Sequence, residues 1–137
     1  METRARELDD RWILPLRGSL VTEVGWGDRV RFRLDPPGEI AVGPGALLTK
    51  GPFTAPGAEV TTLGELGPDG SQRAVGARIR SAVAFKSGAL RIVLDNGWHL
   101  NVRAAGTFVP ASVTVCTHLT WSRNEAGGLL SARSESG

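Results

Sequence analysis

Arginine is the residue type in this chain whose spacing could do the most chemistry. Arg29, Arg31 and Arg33 alternate with Val30, Phe32 and Leu34. A strand over this stretch therefore carries guanidinium groups on one face and apolar side chains on the other. Arg78 and Arg80 repeat the alternation later in the chain, and Arg91 and Arg103 follow on further strand-like runs. Gathered on one side of a sheet beside Trp26, they would form a cationic stripe. Such a stripe holds phosphates with an affinity that falls as salt rises, which makes a nucleic acid the alternative partner. The competing expectation is a solvated face balanced by Glu23, Asp28 and Glu39. Of the 16 Lys plus Arg only Lys50 and Lys86 are lysines, a bias that GC-rich coding produces without any function.

Two aromatic sites and one thiol complete the candidates. Trp26, in Gly25-Trp26-Gly27-Asp28, would mark a contact site if it stands exposed at a turn. In Asp95-Asn96-Gly97-Trp98-His99, Trp98 and His99 could form a stacking and hydrogen-bonding platform. The simpler expectation is a turn, a core tryptophan and a solvated histidine. Cys116 and His118 would share one face of a strand, but nothing else in the sequence supports a nucleophile and base there, and Cys116 reads as a buried thiol. A structural zinc site needs four protein ligands and no ligand spacing recurs, so no metal and no cofactor are expected. Phosphate-loop, HExxH, CxxC and GxSxG signatures are absent. The chain is expected not to be an enzyme.

Composition bounds the elements that must position these groups. The 137 residues are 41% hydrophobic and 22% charged with a net charge of +2, enough for one self-sufficient core. Eighteen glycines and eight prolines demand many turns. No apolar run reaches the ~20 residues that span a bilayer, so no membrane association is expected. The charged start METRARELDD does not read as a secretory signal, and a single cysteine fits a reducing, cytoplasmic location.

The chain states one pattern twice. Leu20 to Val42 reads LVTEVGWGDRVRFRLDPPGEIAV and Ile79 to Val102 reads IRSAVAFKSGALRIVLDNGWHLNV. Each copy is a strand, a polar break, an alternating strand ending Leu-Asp, a glycine turn and a return strand. Asn96-Gly97 predicts a type I′ hairpin turn, in which both central residues take positive φ. Two such meanders, each with one oily face, are unstable alone and must press together. The predicted fold is all-β, a small sandwich or flattened barrel built from two pseudo-repeated three-stranded antiparallel meanders.

Around the repeats, residues 1–10 form a polar N-terminal segment, 11–121 a single β domain, and 122–137 a flexible polar tail. The apolar stretch Trp12 to Leu16 should lie against a sheet. Residues 50–58 read as a loop anchored by Phe53. Glu59 to Leu66 fits a strand or a short helix, and Gly64 to Ala74 an exposed loop.

RWILPLRGSLVTEV, then RFRL, then Gly51 to Phe53, then LRIVLDNGWHLNV resemble an uncharacterised family of small β-rich proteins, mostly from GC-rich actinobacteria. The resemblance spans Trp12 to Val102. Members end in an aromatic-rich strand, where this chain has only Leu119-Thr-Trp-Ser-Arg123. The family brings no activity with it. Small bacterial β domains of this kind sometimes serve as immunity-type proteins, an association at the level of fold. The functional expectation is a non-catalytic cytosolic binding module: protein–protein interaction of an immunity-like or regulatory kind, or homodimerisation through an edge strand. The alternatives are nucleic-acid binding through the arginine face and a small-ligand carrier with a cavity between sheets.

Overall fold

The computed structural model describes residues 5–51, 59–106, 108–116, 119–124 and 126–132. Its strands in chain order are β1 (Arg6–Glu7), β2 (Arg11–Ile13), β3 (Leu20–Trp26), β4 (Val30–Asp35), β5 (Gly38–Val42), β6 (Leu47–Lys50), β7 (Thr61–Thr62), β8 (Ile79–Phe85), β9 (Leu90–Leu94), β10 (Trp98–Val102), β11 (Ala111–Val115), β12 (Leu119–Asn124) and β13 (Gly127–Ala132). Between β7 and β8 lie helix α1 (Leu63–Ser71) and a 3₁₀ turn (Gln72–Ala74). One antiparallel sheet, sheet I, has the order β1-β2-β8-β9-β10-β6-β7; the other, sheet II, has the order β13-β12-β11-β5-β4-β3. They pack face to face as a sandwich and are not closed into a barrel.

The alternating pattern explains the packing. Val30, Phe32 and Leu34 on β4 face Leu90, Ile92 and Leu94 on β9, and all six are buried. Trp98, Leu100 and Val102 line the same interior from β10, with Ile40 and Val42 from β5. The repeat is thus one meander per sheet: β3-β4-β5 forms one end of sheet II, with β3 at its edge, and β8-β9-β10 lies at the centre of sheet I.

The two copies match in ways their letters do not reveal. Each carries a register shift in its first strand, between Val21 and Glu23 in β3 and between Ile79 and Ser81 in β8. They meet at equivalent positions, where Leu20 bridges Arg78, and their hydrogen bonds there are exchanged by a pseudo-two-fold axis. Gly18 N–H donates to Ile79 O at 2.7 Å and Gly76 N–H to Val21 O at 2.8 Å; Val21 N–H donates to Ala77 O at 2.9 Å and Ile79 N–H to Ser19 O at 2.8 Å. Gly18 and Gly76 take matching positive φ values of 89° and 91°, a conformation that glycine adopts without strain. The strand after each meander crosses over: β6 follows the first copy but pairs with β10 of the second, while β11 follows the second and pairs with β5 of the first.

Several expectations are corrected. Gly25 and Trp26 end β3 rather than forming a turn, and the bend lies at residues 27–29. The β9–β10 turn is not type I′: Gly97 N–H donates to Leu94 O, and Gly97 (φ 92°) takes positive φ while Asn96 does not. That is a type I turn followed by a left-handed residue, with Asn96 Oδ1 accepting from Trp98 N–H at 3.0 Å. The supposed loop at Gly64 to Ala74 is α1 and the 3₁₀ turn. Thr62 and Glu65 form a reciprocal capping box at its start, which satisfies the free N–H groups of the first turn. Gly67 (φ 78°, ψ 172°) breaks the helix and Pro68 follows the break, proline being suited to the first position of a helical turn. Residues 127–132, placed in the flexible tail, are a strand paired along its length with β12. Residues 6–7, within the polar N-terminal segment, pair with β2. The Phe53 anchor lies outside the described residues.

Candidate interaction edge

The arginines do not assemble into one stripe. Arg31 and Arg33 lie on the outer face of sheet II, whereas Arg91 lies on the outer face of sheet I, because each meander turns its polar side away from the shared core. The two faces are opposite sides of the sandwich. Arg31 pairs with Glu39 at 2.9 Å and Asp28 at 3.7 Å, and Arg33 with Glu23 at 4.0 Å. Arg29 reaches Ser112 Oγ at 3.4 Å. Arg78 donates to Gly18 O at 2.9 Å and so braces the seam between the copies. Arg80 is exposed beside the β8 register shift, and Arg103 is exposed just past β10. Arg91 stacks over Phe85, 5.9 Å from the ring centre, with Arg11 over the same ring at 4.7 Å.

The aromatic candidates face inward. Trp26 packs against the core, and its Nε1–H donates to the fully buried Ser71 Oγ at 2.8 Å, tying β3 to α1. It stands at no exposed tip. Trp98 is 5% exposed and is a core residue, so the expected Trp98–His99 platform does not form: the two side chains leave β10 on opposite faces. His99 is half-buried on the outer face of sheet I, where burial, aided by the Arg91 charge, lowers its pKa below the usual histidine value. Cys116 is half-buried with φ 54°, and its proposed partner His118 lies outside the described residues.

Between the sheets, Phe32, Ile40, Leu48, Ile92, Leu94, Trp98 and Leu100 surround a void of only about 10 Å³, the size of a single water at most. A charged depression at Glu7, Asp9, Asp10, Arg11 and Lys86 is open to solvent. Both of its cations are engaged, Lys86 by Glu7 at 2.6 Å and Arg11 by Asp10 at 2.8 Å. That hydrogen bond from Arg11 holds the Asp10 carboxyl below the ordinary carboxylate range. Among the described residues no group of three His, Cys, Asp or Glu is placed to hold a metal ion.

The sheet edges are a different matter. A sandwich has four edges, each a row of free N–H and C=O groups that recruits another strand unless it is blunted. Sheet I ends in β1 and β7, each two residues long. The β3 edge of sheet II is occupied twice: residues 76–79 bond to its start, and Gln72 Nε2 donates to Val24 O at 3.1 Å where a further strand would lie. The fourth edge is β13. It runs six residues, Gly-Gly-Leu-Leu-Ser-Ala, with no charge and no proline. Among the described residues it has no strand beyond it.

Among the described residues only the beginning of β13 is covered. Gly128 N–H points away from β12 and donates to Lys86 O at 3.0 Å. The turn crosses so closely that a Cβ on Gly128 would lie 2.6 Å from Phe85 O and from Trp121 Nε1. Backbone groups alternate in direction along a strand, so Leu130 and Ala132 also turn their N–H and C=O away from β12, toward the open side. Leu129 projects from the outer face at 61% exposure, the most exposed large hydrophobic residue among those described. Sequence reasoning missed this edge. Its signal was Gly127 to Ala132 itself, a turn-bounded, uncharged run following the Leu119 strand.

No curated protein and no solved structure matches the chain. Residues 12–118 match a family of unknown function (DUF6188), which takes in both meanders and the crossed-over strands β6 and β11, and to that family this chain belongs.

Proposed function

We propose that the protein is a non-catalytic binding module of the cytosol that recognises an extended protein segment by adding it as a strand alongside β13. One observation carries the reading: among the described residues three sheet edges are blunted or occupied, while β13 offers an uncharged open row at Leu130 to Ala132. Strand addition takes its affinity from main-chain hydrogen bonds and its selectivity from alternate side chains. Here Leu129 and Ser131 supply the outer-face contacts. Five of the seven candidate arginines are engaged and the candidate tryptophans face inward, which leaves the sheet faces with fewer groups to recognise a ligand, and the tight interior favours a surface function over a carrier.

Panning the immobilised chain against short random peptides tests this. Strand-forming, β-branched peptides should be enriched, and their NMR shift perturbations should centre on residues 129–132. Ala132→Pro removes one outward N–H without touching the β12 ladder and should abolish the enrichment. Enrichment that survives Ala132→Pro, or perturbations centred elsewhere, overturns the reading.

A further inference from the structure

We infer that the segment added to β13 is β13 of a second copy of the chain, giving a two-fold dimer with one continuous sheet of twelve strands. This deepens the strand-addition reading above and rests on it. Three observations lead to self-pairing. Sheet II has six strands and only one open edge among the described residues, so edge-to-edge growth uses up the recruiting surface of both copies and closes. A closed two-fold pair is the outcome when one patch meets itself; a second open edge would have given fibres. The outer-face residues that flank the seam, Thr120, Ser122, Leu129 and Ser131, are uncharged. Two copies of a chain with net charge +2 thus meet here without a like-charge pair. Finally, the strand is antiparallel to β12, and the two-fold copy of a strand about an axis normal to the sheet is antiparallel to it as well, so the ladder continues in the same sense.

The register follows from what is already occupied. Lys86 O takes the Gly128 N–H, which closes that position to a partner. Among the described residues the open groups are those of Leu130 and Ala132. The symmetric pairing that uses both, and avoids Gly128, sets Leu130 opposite Ala132 of the second copy and puts Ser131 on the two-fold axis. Leu130 and Ala132 then exchange four hydrogen bonds across the seam. The two Ser131 residues form a directly opposed pair with Cα atoms about 4.5 Å apart, on the outer face. An interface of one strand pair is small, so the dimer belongs among the weak, exchanging complexes, and its population rises with concentration.

Light scattering and sedimentation of the full chain over a range of concentrations should show a shift from the mass of one chain to twice that mass. Ser131→Lys places like charges face to face on the axis and should weaken association by about tenfold or more. In a Cys116→Ser background, Ser131→Cys should form a rapid intermolecular disulfide, since the expected Cα separation falls within the disulfide range. Ser122→Cys, on the neighbouring strand, should not. Hydrogen exchange separates the two claims. A chain that stays monomeric while the Leu130 and Ala132 amides exchange freely overturns the dimer and leaves the open edge standing. A monomer in which those amides are protected shows the edge filled from within the chain, and overturns the strand-addition reading too.

Discussion

His99 shows how much a single outward side chain depends on its neighbours. It sits on the outer face of sheet I opposite Val93 on β9 and the buried Thr49 on β6. Burial disfavours its charged form, and Arg91 adds a like charge, so its folded pKa lies below its unfolded value near 6.5. Below about pH 6.5 the unfolded chain therefore takes up a proton that the folded chain refuses. Stability is fully present above that pH and falls as pH drops toward the folded pKa. Thermal unfolding at pH 8 and pH 5.5 should show a fall in melting temperature that His99→Gln reduces. Equal falls in the two proteins would show that the ring is not desolvated in the folded state. In the sequence His99 was legible as an outward residue from the alternation of Trp98, Leu100 and Val102, but its half-burial was not. Its neighbour on one side is Thr49 of β6, the strand that follows the other repeat, a pairing that the sequence does not show.

At the scale of elements, legibility followed pattern length. β4, β9 and β10 alternate cleanly over five or six residues, and their inward faces are as the alternation requires. Helix α1 was legible only in part: Glu59 to Leu66 fitted a strand or a short helix, and Gly64 to Ala74 read as a loop. Three glycines and a proline between Leu63 and Ser71 read as loop chemistry, although Thr62 and Glu65 carried the capping-box spacing. β13 was hidden because Gly-Gly and Ser dilute a short strand whose pairing with β12 is tertiary information. The helix matters because it presents Gln72 to the β3 edge and Ser71 to Trp26. Gln72→Ala should cost about 1 kcal/mol, the worth of one partly buried hydrogen bond. Gln72→Glu should cost more, since at neutral pH it not only removes the donor but sets a negatively charged carboxylate against the Val24 carbonyl oxygen. Urea titration of the three proteins reads both values. If Gln72→Glu proves no worse than Gln72→Ala, the amide is not what guards that edge.

The whole molecule is two interlocked halves with an addition at each end of the chain. β6 and β11 cross between the repeats, so neither half can bury its meander without a strand from the other, and the pseudo-two-fold seam at Gly18 to Val21 and Gly76 to Ile79 holds the two together. The symmetry breaks at both ends: β1 and β2 lie beyond β8 with no counterpart beyond β3, and past β11 the six-residue strands β12 and β13 extend sheet II where sheet I has only the two-residue β7. The family match stops at residue 118, but the core of this chain does not. Trp121 on β12 is fully buried, Leu119 is 5% exposed, and Leu130 on β13 packs against the same cluster. Deleting a buried tryptophan alone costs about 3–5 kcal/mol, a large part of the roughly 5–15 kcal/mol that holds a domain together. A chain ended after residue 118 should therefore lose its near-ultraviolet circular dichroism and its cooperative urea transition, while one ended after residue 132 should keep the full-length midpoint. Were the shorter chain to unfold cooperatively within about 1 kcal/mol of the full-length protein, the hairpin would be an appendage, and the edge it carries would not be held rigidly enough to template a partner strand.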